Sequence, residues 1–555
     1  MVFFIFLLPL RLAAQEALPQ WALDLWNQNA TLIDSILYYP ADAMGPETRT
    51  YVIYYHQPLN HAQPNGEQFP LRALVSVFRN GDPTKAVNHV YATGYNLDLE
   101  YLYRPDSTFY QSNTECDAEI AHRYKANFIQ IEHRYFQFSA PAECWTRLDY
   151  LRAEEAAADF HALFEAFKKV LKGKYVMSGV SKGGITTLLQ HRFYPDDMDV
   201  YVPYSAPFFD TDRDIEMQKY WYTTGWNKEW LDRFMSFRRN ALARKESILP
   251  IYFKMAGDAS TKPKRDSLYC HYLRAAADLG FREHAYSDTA SLRRLTHTND
   301  SIMRAKGVES YGDTVYAYMM DRIQYDLKNF PAWLDTLRKY PEPDKAPVRR
   351  GQSERFRLHH PFGITYDQWW GGDTIQAAAY EYQAKCELGY FDFRFDLIIE
   401  DAAMAKQYND YWVQNAGYLH SLLSPFYRSL TFSPTLYNET MAATQNATKP
   451  IILIYGEDDA WTGAAVKDEF VNGTNVRKFI LPGQNHLACF SSDTDKAKCN
   501  AIRAALDAVL STPQGIEEIT SDQSPMTNVF KVLEGNHVII IRNGIRYDMT
   551  GKRLQ

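Results

Sequence analysis

No stretch of this 555-residue chain interleaves clustered lysine and arginine with aromatics, and acidic residues outnumber basic ones, 67 to 60, for a net charge of -7. Phosphate backbones find no basic face here, which sets nucleic acid aside as a partner. Long apolar runs are missing as well. The apolar segment from Val2 to Leu10 is too short to span a bilayer, so no transmembrane segment is expected in the mature chain. Cysteine is scarce, six in all, with no C-x-x-C pair and no His/Cys cluster at zinc spacing, so neither a metal nor another cofactor is expected. Internal repeats and low-complexity tracts are absent too, and nothing in the sequence specifies an oligomeric state.

What is present is apolar and aromatic: 46% hydrophobic residues, 15% aromatic, and only 23% charged. That suits a large catalytic domain carrying an insertion or a second domain, with aromatic-lined pockets. Val2 to Leu10, followed by Arg11 and by Leu12-Ala13-Ala14 before the polar Gln15-Glu16, has the shape of a secretory leader over residues 1–14. An exported chain with an even number of cysteines permits three disulfides whose pairing the sequence leaves open. Cys489 with Cys499, Cys116 with Cys144 and Cys270 with Cys386 each keep a bridge within one region; buried thiols are the alternative.

Strand-like runs recur at Tyr51 to Tyr55, Ala73 to Phe78, His89 to Ala92 and Phe128 to Glu132, between Pro, Gly and Asn turn signals. Leu151 to Leu171 switches to helical periodicity, and the apolar Tyr175-Val176-Met177 then runs into Gly179-Val180-Ser181-Lys182-Gly183-Gly184. Residues 209–449 read mostly as amphipathic helices, for example Met217 to Ala243 and Tyr316 to Tyr340, and form a helical cap inserted into the core. The α/β pattern resumes with Pro450 to Tyr455, Lys478 to Leu481 and a helix from Asp495 to Leu510. The expected fold is thus an α/β-hydrolase core in two parts, residues 15–208 and 450–512, around the cap. Residues 513–555 form a linker and a β-rich tail with turns at Glu534-Gly535-Asn536 and Asn543-Gly544.

A serine hydroxyl is a poor nucleophile at neutral pH and needs an imidazole base oriented by a carboxylate. Gly179-Val180-Ser181-Lys182-Gly183 fits the G-x-S-x-G elbow, in which small flanking residues let a strand turn sharply into a helix, and makes Ser181 the nucleophile. Asp459 is the first choice for the orienting carboxylate, in the turn Gly456-Glu457-Asp458-Asp459 after a strand, with Asp458 and Glu457 as competitors. His486, on the loop after the next strand, completes the Ser…Asp…His order as general base and acid. His89, His133 and His161 precede the serine and read as structural or pocket-lining. Oxyanion donors are expected from the backbone of Lys182 and from the loop at Gly94 and Tyr95.

These residues resemble a known family. Ser178 to Gly184, His191-Arg192-Phe193-Tyr194-Pro195-Asp196-Asp197-Met198-Asp199 and Ser205-Ala206-Pro207, with Cys144 to Thr146 and Ala156 to His161, look like the secreted bacterial prolyl tri/tetrapeptidyl aminopeptidases. Gln57 to His61 and Ile131 to Phe136 are also similar to the related prolyl carboxypeptidase and dipeptidyl peptidase 2 family. The resemblance implies a serine peptidase that releases tri- or tetrapeptides from peptide substrates with a free amino terminus, often after proline, beneath a helical cap. It also implies residues that hold the substrate ammonium: Glu387 and Gln383 of the cap are candidates, with Glu132 as a deeper alternative. Trp461, Tyr95 and Phe208 are candidate walls of a proline pocket and equally credible as core. The chain would act in the periplasm, at the cell surface or outside the cell, and its tail is similar to β-rich tails of exported Gram-negative proteins. The rival readings are a prolyl carboxypeptidase-like or dipeptidyl peptidase-like activity, an esterase on the same fold, and an inactive peptide-binding protein.

Overall fold

The computed structural model describes residues 18–39, 47–97, 115–224 except 137, 142–143 and 145–146, 379–415 except 381, 430–511, three strands within 529–547, and isolated positions between 235 and 277. Helix α1 (Gln20–Gln28) leads into the strands β1 (Ile33–Tyr39), β2 (Thr48–Pro58), β3 (Gln68–Phe78) and β4 (Asn88–Ala92). Helix α2 (Glu115–Tyr124), strand β5 (Asn127–Ile131), helix α3 (Ala153–Lys168), strand β6 (Tyr175–Val180), helix α4 (Lys182–Phe193) and strand β7 (Val200–Tyr204) follow. Helices α5 (Glu216–Thr223), α6 (Ala402–Asn415) and α7 (Thr435–Gln445) precede β8 (Ile451–Gly456), β9 (Val476–Leu481) and the closing helix α8 (Lys496–Leu510).

The strands form one sheet in the order β1-β2-β3-β5-β4-β6-β7-β8-β9. The first three run antiparallel, and from β5 through β9 every pairing is parallel. This is the α/β-hydrolase fold expected from the sequence. Strands β4 to β8 are buried along almost their whole length, because helices cover both faces of a parallel sheet, and that is why they read as short unbroken apolar runs instead of alternating ones. Helix α4 is buried from Lys182 through His191, so it has no polar face and no amphipathic pattern.

The expected strands and core helices are found within a few residues of their ends, while α1, β1 and α2 were not foreseen. Two readings need correction. The helix predicted over Met217 to Ala243 is interrupted, because the backbone leaves helical geometry at Thr224 (φ -126°, ψ 154°). Part of the stretch assigned to the cap also belongs to the core: Tyr437 and Met441 of α7 pack in the same cluster as Phe208 and Tyr201. The predicted helix over Tyr316 to Tyr340 and the leader over residues 1–14 lie outside the described residues.

Of the disulfides the sequence permits, Cys116 with Cys144 and Cys270 with Cys386 each fall on a side chain outside the described residues. Cys489 and Cys499 are both described, and they are not stapled to each other. Both lie buried in the cluster formed by Ile452, Leu481, Ile502 and Leu506, where a thiol behaves as a small apolar side chain. No helix among the described residues is long and apolar enough to cross a membrane.

The chain divides into two units, Met1–Leu510 and Ser511–Gln555. The second contains a three-stranded antiparallel sheet, β10 (Val529–Glu534), β11 (His537–Arg542) and β12 (Ile545–Tyr547), with Val529 opposite Arg542 and Ile540 opposite Tyr547.

Candidate active site

Between β6 and α4 the chain must reverse within one residue, and that residue is Ser181, at φ 59° and ψ -121°. Only tight surroundings hold an L-residue there. Its N–H donates to the Tyr204 carbonyl of β7 at 3.0 Å, and its own carbonyl accepts from Ile185 at 3.0 Å. A β-carbon on Gly179 would stand 2.5 Å from backbone atoms of Gly183, so strand and helix meet only because both flanks are glycine. The serine itself stays partly exposed at the carboxyl end of the sheet.

Two strands away, β8 ends in the turn that carries the acidic group. Of its three carboxylates only Asp459 is fully buried. Its Oδ1 caps the following short helix by accepting the Trp461 N–H at 3.0 Å, and its Oδ2 lies 2.8 Å from His486 Nδ1. Asp458 is half-exposed, and its carboxyl is raised to about 6 by burial and by the Glu457 charge. The ambiguity left by the sequence is thereby resolved in favour of Asp459 as the partner of His486.

The loop bearing His486 follows β9 and is held by its own side chains. Gln484 donates to the Cys489 carbonyl at 3.0 Å and to Thr494 Oγ1 at 2.7 Å, and accepts the Cys489 N–H at 2.7 Å. Glu119 of α2, which sequence reasoning passed over, reaches the same loop. Its carboxylate accepts the N–H groups of Phe490 (3.3 Å) and Ser491 (2.8 Å) and the Tyr204 hydroxyl (2.7 Å). Burial raises the Glu119 carboxyl to about 7. Its sequence context, an acidic residue in an ordinary helix, carried no signal.

Gly94 follows β4 with φ +74°, and a β-carbon there would lie 2.5 Å from the Gly183 nitrogen and 2.8 Å from the Lys182 carbonyl carbon. The loop is therefore seated on the first turn of α4, where the Lys182 N–H has no intrahelical acceptor. The Tyr95 N–H points at Thr93 Oγ1, 3.2 Å away. The Lys182 side chain, 2% exposed, donates from Nζ to the Gly94 carbonyl at 2.6 Å and lies over the rings of Tyr95 (5.5 Å) and Phe136 (5.2 Å). Burial lowers its ammonium to about 7, against the pull of Glu387.

Glu387 stands on a short π-helical turn, Ala384–Leu388, and accepts the Ala153 N–H at 2.9 Å and Gln383 Nε2 at 3.5 Å. Burial lifts its carboxyl to about 7, with Lys182 and Arg152 opposing. Gln383 is 1% exposed, and its Oε1 is buried with no hydrogen-bond partner. Glu132 is different. Arg72 grips both its oxygens, at 2.9 and 2.6 Å, and Leu97 and Ser139 add further donors, so no acceptor remains for a substrate amine. It is a structural carboxylate.

Aromatic rings form a continuous line from the Gly94 loop to the histidine: Tyr95 to Tyr380 at 5.6 Å, Tyr380 to Tyr390 at 5.9 Å, Tyr390 to Trp461 at 6.1 Å, and Trp461 to His486 at 6.1 Å. Trp461 and Tyr95 belong to this wall. Phe208 instead packs on Tyr437 in the core, while its neighbour Phe209 joins the wall against Trp461. His89, His133 and His161 are bonded to Ser178, to the Arg134 carbonyl and to Asp197, as structural histidines would be.

The prolyl tri/tetrapeptidyl aminopeptidase of Streptomyces mobaraensis is 27% identical over 275 residues, 48% of this chain and 53% of that protein, so the chain spans about half the length of the curated relative it matches. Among solved structures, a peroxisomal alpha-beta-hydrolase from Saccharomyces cerevisiae shows 10% identity and a TM-score of 0.33, covering 87% of this chain and 94% of its own. A proline iminopeptidase from Mycobacterium smegmatis shows 12% identity and a TM-score of 0.28, covering 86% and 98%. At such scores it is the strand order of the chain itself that gives the fold class. Residues 43–290, which hold Ser181 and the Gly94 loop and end before Asp459 and His486, match the model of the PS-10 peptidase S37 family.

Proposed function

We propose that this protein is a serine exopeptidase that releases tri- or tetrapeptides from free peptide amino termini, with a preference for cleavage after proline, and that it works outside the cytoplasm. The observation that carries the reading is the buried Asp459–His486 pair at the same sheet edge as the strained Ser181. The kinship to an aminopeptidase of that specificity supports the substrate class.

In the proposed reaction Ser181 Oγ attacks the scissile carbonyl carbon while His486 Nε2 takes the hydroxyl proton, and Asp459 steadies the imidazolium through Nδ1. The oxyanion draws on the Lys182 N–H and on the Gly94–Tyr95 loop. His486 then gives its proton to the departing amine, the C–N bond breaks, and a water attacks the acyl-enzyme by the same route in reverse. The substrate ammonium is held by Glu387, with Gln383 Oε1 as a second acceptor. The line of rings from Tyr95 to Trp461 supplies the apolar surface a proline ring would pack against.

The test compares one peptide amide with a free and with an acetylated amino terminus. A serine aminopeptidase cleaves only the first and loses that activity in Ser181→Ala. Equal cleavage of both would favour an esterase-like hydrolase, and absence of fluorophosphonate labelling at Ser181 would favour a binding protein.

A further inference from the structure

An ammonium enclosed in protein is costly unless something is gained from its charge. Lys182 has 2% of its surface exposed, and a methionine would fill the same space without that cost. Its head group makes one strong hydrogen bond, 2.6 Å to the Gly94 carbonyl, and is flanked by the rings of Tyr95 and Phe136. That carbonyl shares a rigid peptide plane with the Tyr95 N–H, whose bond to Thr93 Oγ1 is a long 3.2 Å and leaves the hydrogen to be shared with an oxyanion, so fixing one end fixes the direction of the other. The loop has no other freedom on this side, because Gly94 already touches the Lys182–Gly183 backbone. On its far side the loop is tied by Thr93 Oγ1 to the Ile131 carbonyl at 3.1 Å and by the His133 N–H to the Tyr95 carbonyl at 2.9 Å.

We infer that the Lys182 side chain is the positioning group of the oxyanion hole: its backbone N–H is one donor, and its Nζ clamps the loop that bears the other. One residue thus sets the spacing between the two donors. The clamp acts chiefly on the tetrahedral state, while the same head group also lies over the Tyr95 ring of the apolar wall and attracts the Glu387 carboxylate. The inference rests on the reading of Ser181 as nucleophile.

The experiment uses the full chain with Lys182→Met, Lys182→Gln and Lys182→Arg, each titrated with a fluorophosphonate so that rates refer to competent sites. A prolyl peptide aldehyde, which forms a tetrahedral adduct on the serine, is compared with the product peptide as inhibitor. Lys182→Met is expected to lower kcat about 10- to 100-fold, less than the roughly 100- to 1000-fold lost when an oxyanion donor is itself removed, because the donor is misplaced and not deleted, and to weaken the aldehyde by a similar factor. Product inhibition, which reads any loss at the Tyr95 ring and at Glu387, should change by clearly less than aldehyde inhibition, since transition-state stabilisation and not uniform binding is what the clamp supplies. Lys182→Arg should recover part of the loss. Should Lys182→Met fail to fold, the same split in Lys182→Gln, which retains a neutral donor, decides the matter. Unchanged kcat per titrated site in the variant that folds, with only a lower melting temperature, would overturn the inference. Failure of the unmodified enzyme to be labelled is a different result, and it would remove the serine-hydrolase reading itself.

Discussion

Asp459 Oδ2 and His486 Nδ1 lie 2.8 Å apart with both side chains sealed from solvent, at 0% and 2% exposure. A carboxylate so placed holds the imidazole in one tautomer, with the proton on Nδ1 and Nε2 turned to base duty. Asp459→Asn is expected to keep the fold and to lower kcat by about 10⁴-fold, the loss seen when such a carboxylate becomes an amide. Asp458→Asn should change kcat less than about twofold. Steady-state kinetics on a free-amine peptide distinguishes the two.

Ser181 sits in a backbone region that glycine tolerates and other residues do not. Ser181→Gly should therefore raise the melting temperature, by about 1 kcal/mol of stability, while abolishing turnover. Ser181→Ala should abolish turnover without that gain. Calorimetry of both proteins beside the unmodified enzyme reads the difference, and equal melting temperatures would argue against strain at this residue.

Glu387 binds a cation only when ionised, and burial has pushed its carboxyl up to about 7, with Lys182, Arg152, Gln383 and the Ala153 N–H facing it. Affinity for a free amino terminus should consequently rise as pH increases through 7, then fall as the substrate amine itself deprotonates near pH 8. Glu387→Gln should raise KM for free-amine peptides roughly tenfold and flatten the acidic limb of 1/KM against pH. Unaltered KM would move the ammonium site elsewhere.

Glu119 ties the histidine loop to α2 and titrates near 7 in the folded protein, above its ordinary value of 4.5. Because the folded state holds this proton more tightly, Glu119 favours folding below pH 4.5, and that contribution is lost as pH climbs through 7. Replacement by Gln should flatten the stability–pH curve between those limits. Urea unfolding at several pH values measures it.

Glu132 and Arg72 are a buried pair, and removing one partner strands the other charge. Glu132→Ala is expected to cost about 3–5 kcal/mol of stability. Whatever enzyme remains folded should still discriminate free from acetylated substrates. Loss of that discrimination would reinstate Glu132 as the amine site.

The elbow at Ser181, the order of serine, acid and histidine, and the run of core strands were legible in the sequence because each is a local pattern. Strand–turn–helix chemistry is written in neighbouring residues, and fully buried parallel strands announce themselves as short apolar runs. The tertiary structure decided what depends on direction and on distant partners. Asp458 and Asp459 are indistinguishable as neighbours in a turn, and only the fold shows which is buried against His486. Glu132 looked available until Arg72, 60 residues earlier, occupied it. Cys489 and Cys499, ten residues apart, share a core cluster yet form no bond. The Lys182 clamp on Gly94 spans 88 residues, and the aromatic wall joins Tyr95 to Trp461 across segments with no shared local pattern. Close packing of remote segments sets those contacts, and side-chain direction in a packed interior follows from all of its neighbours at once.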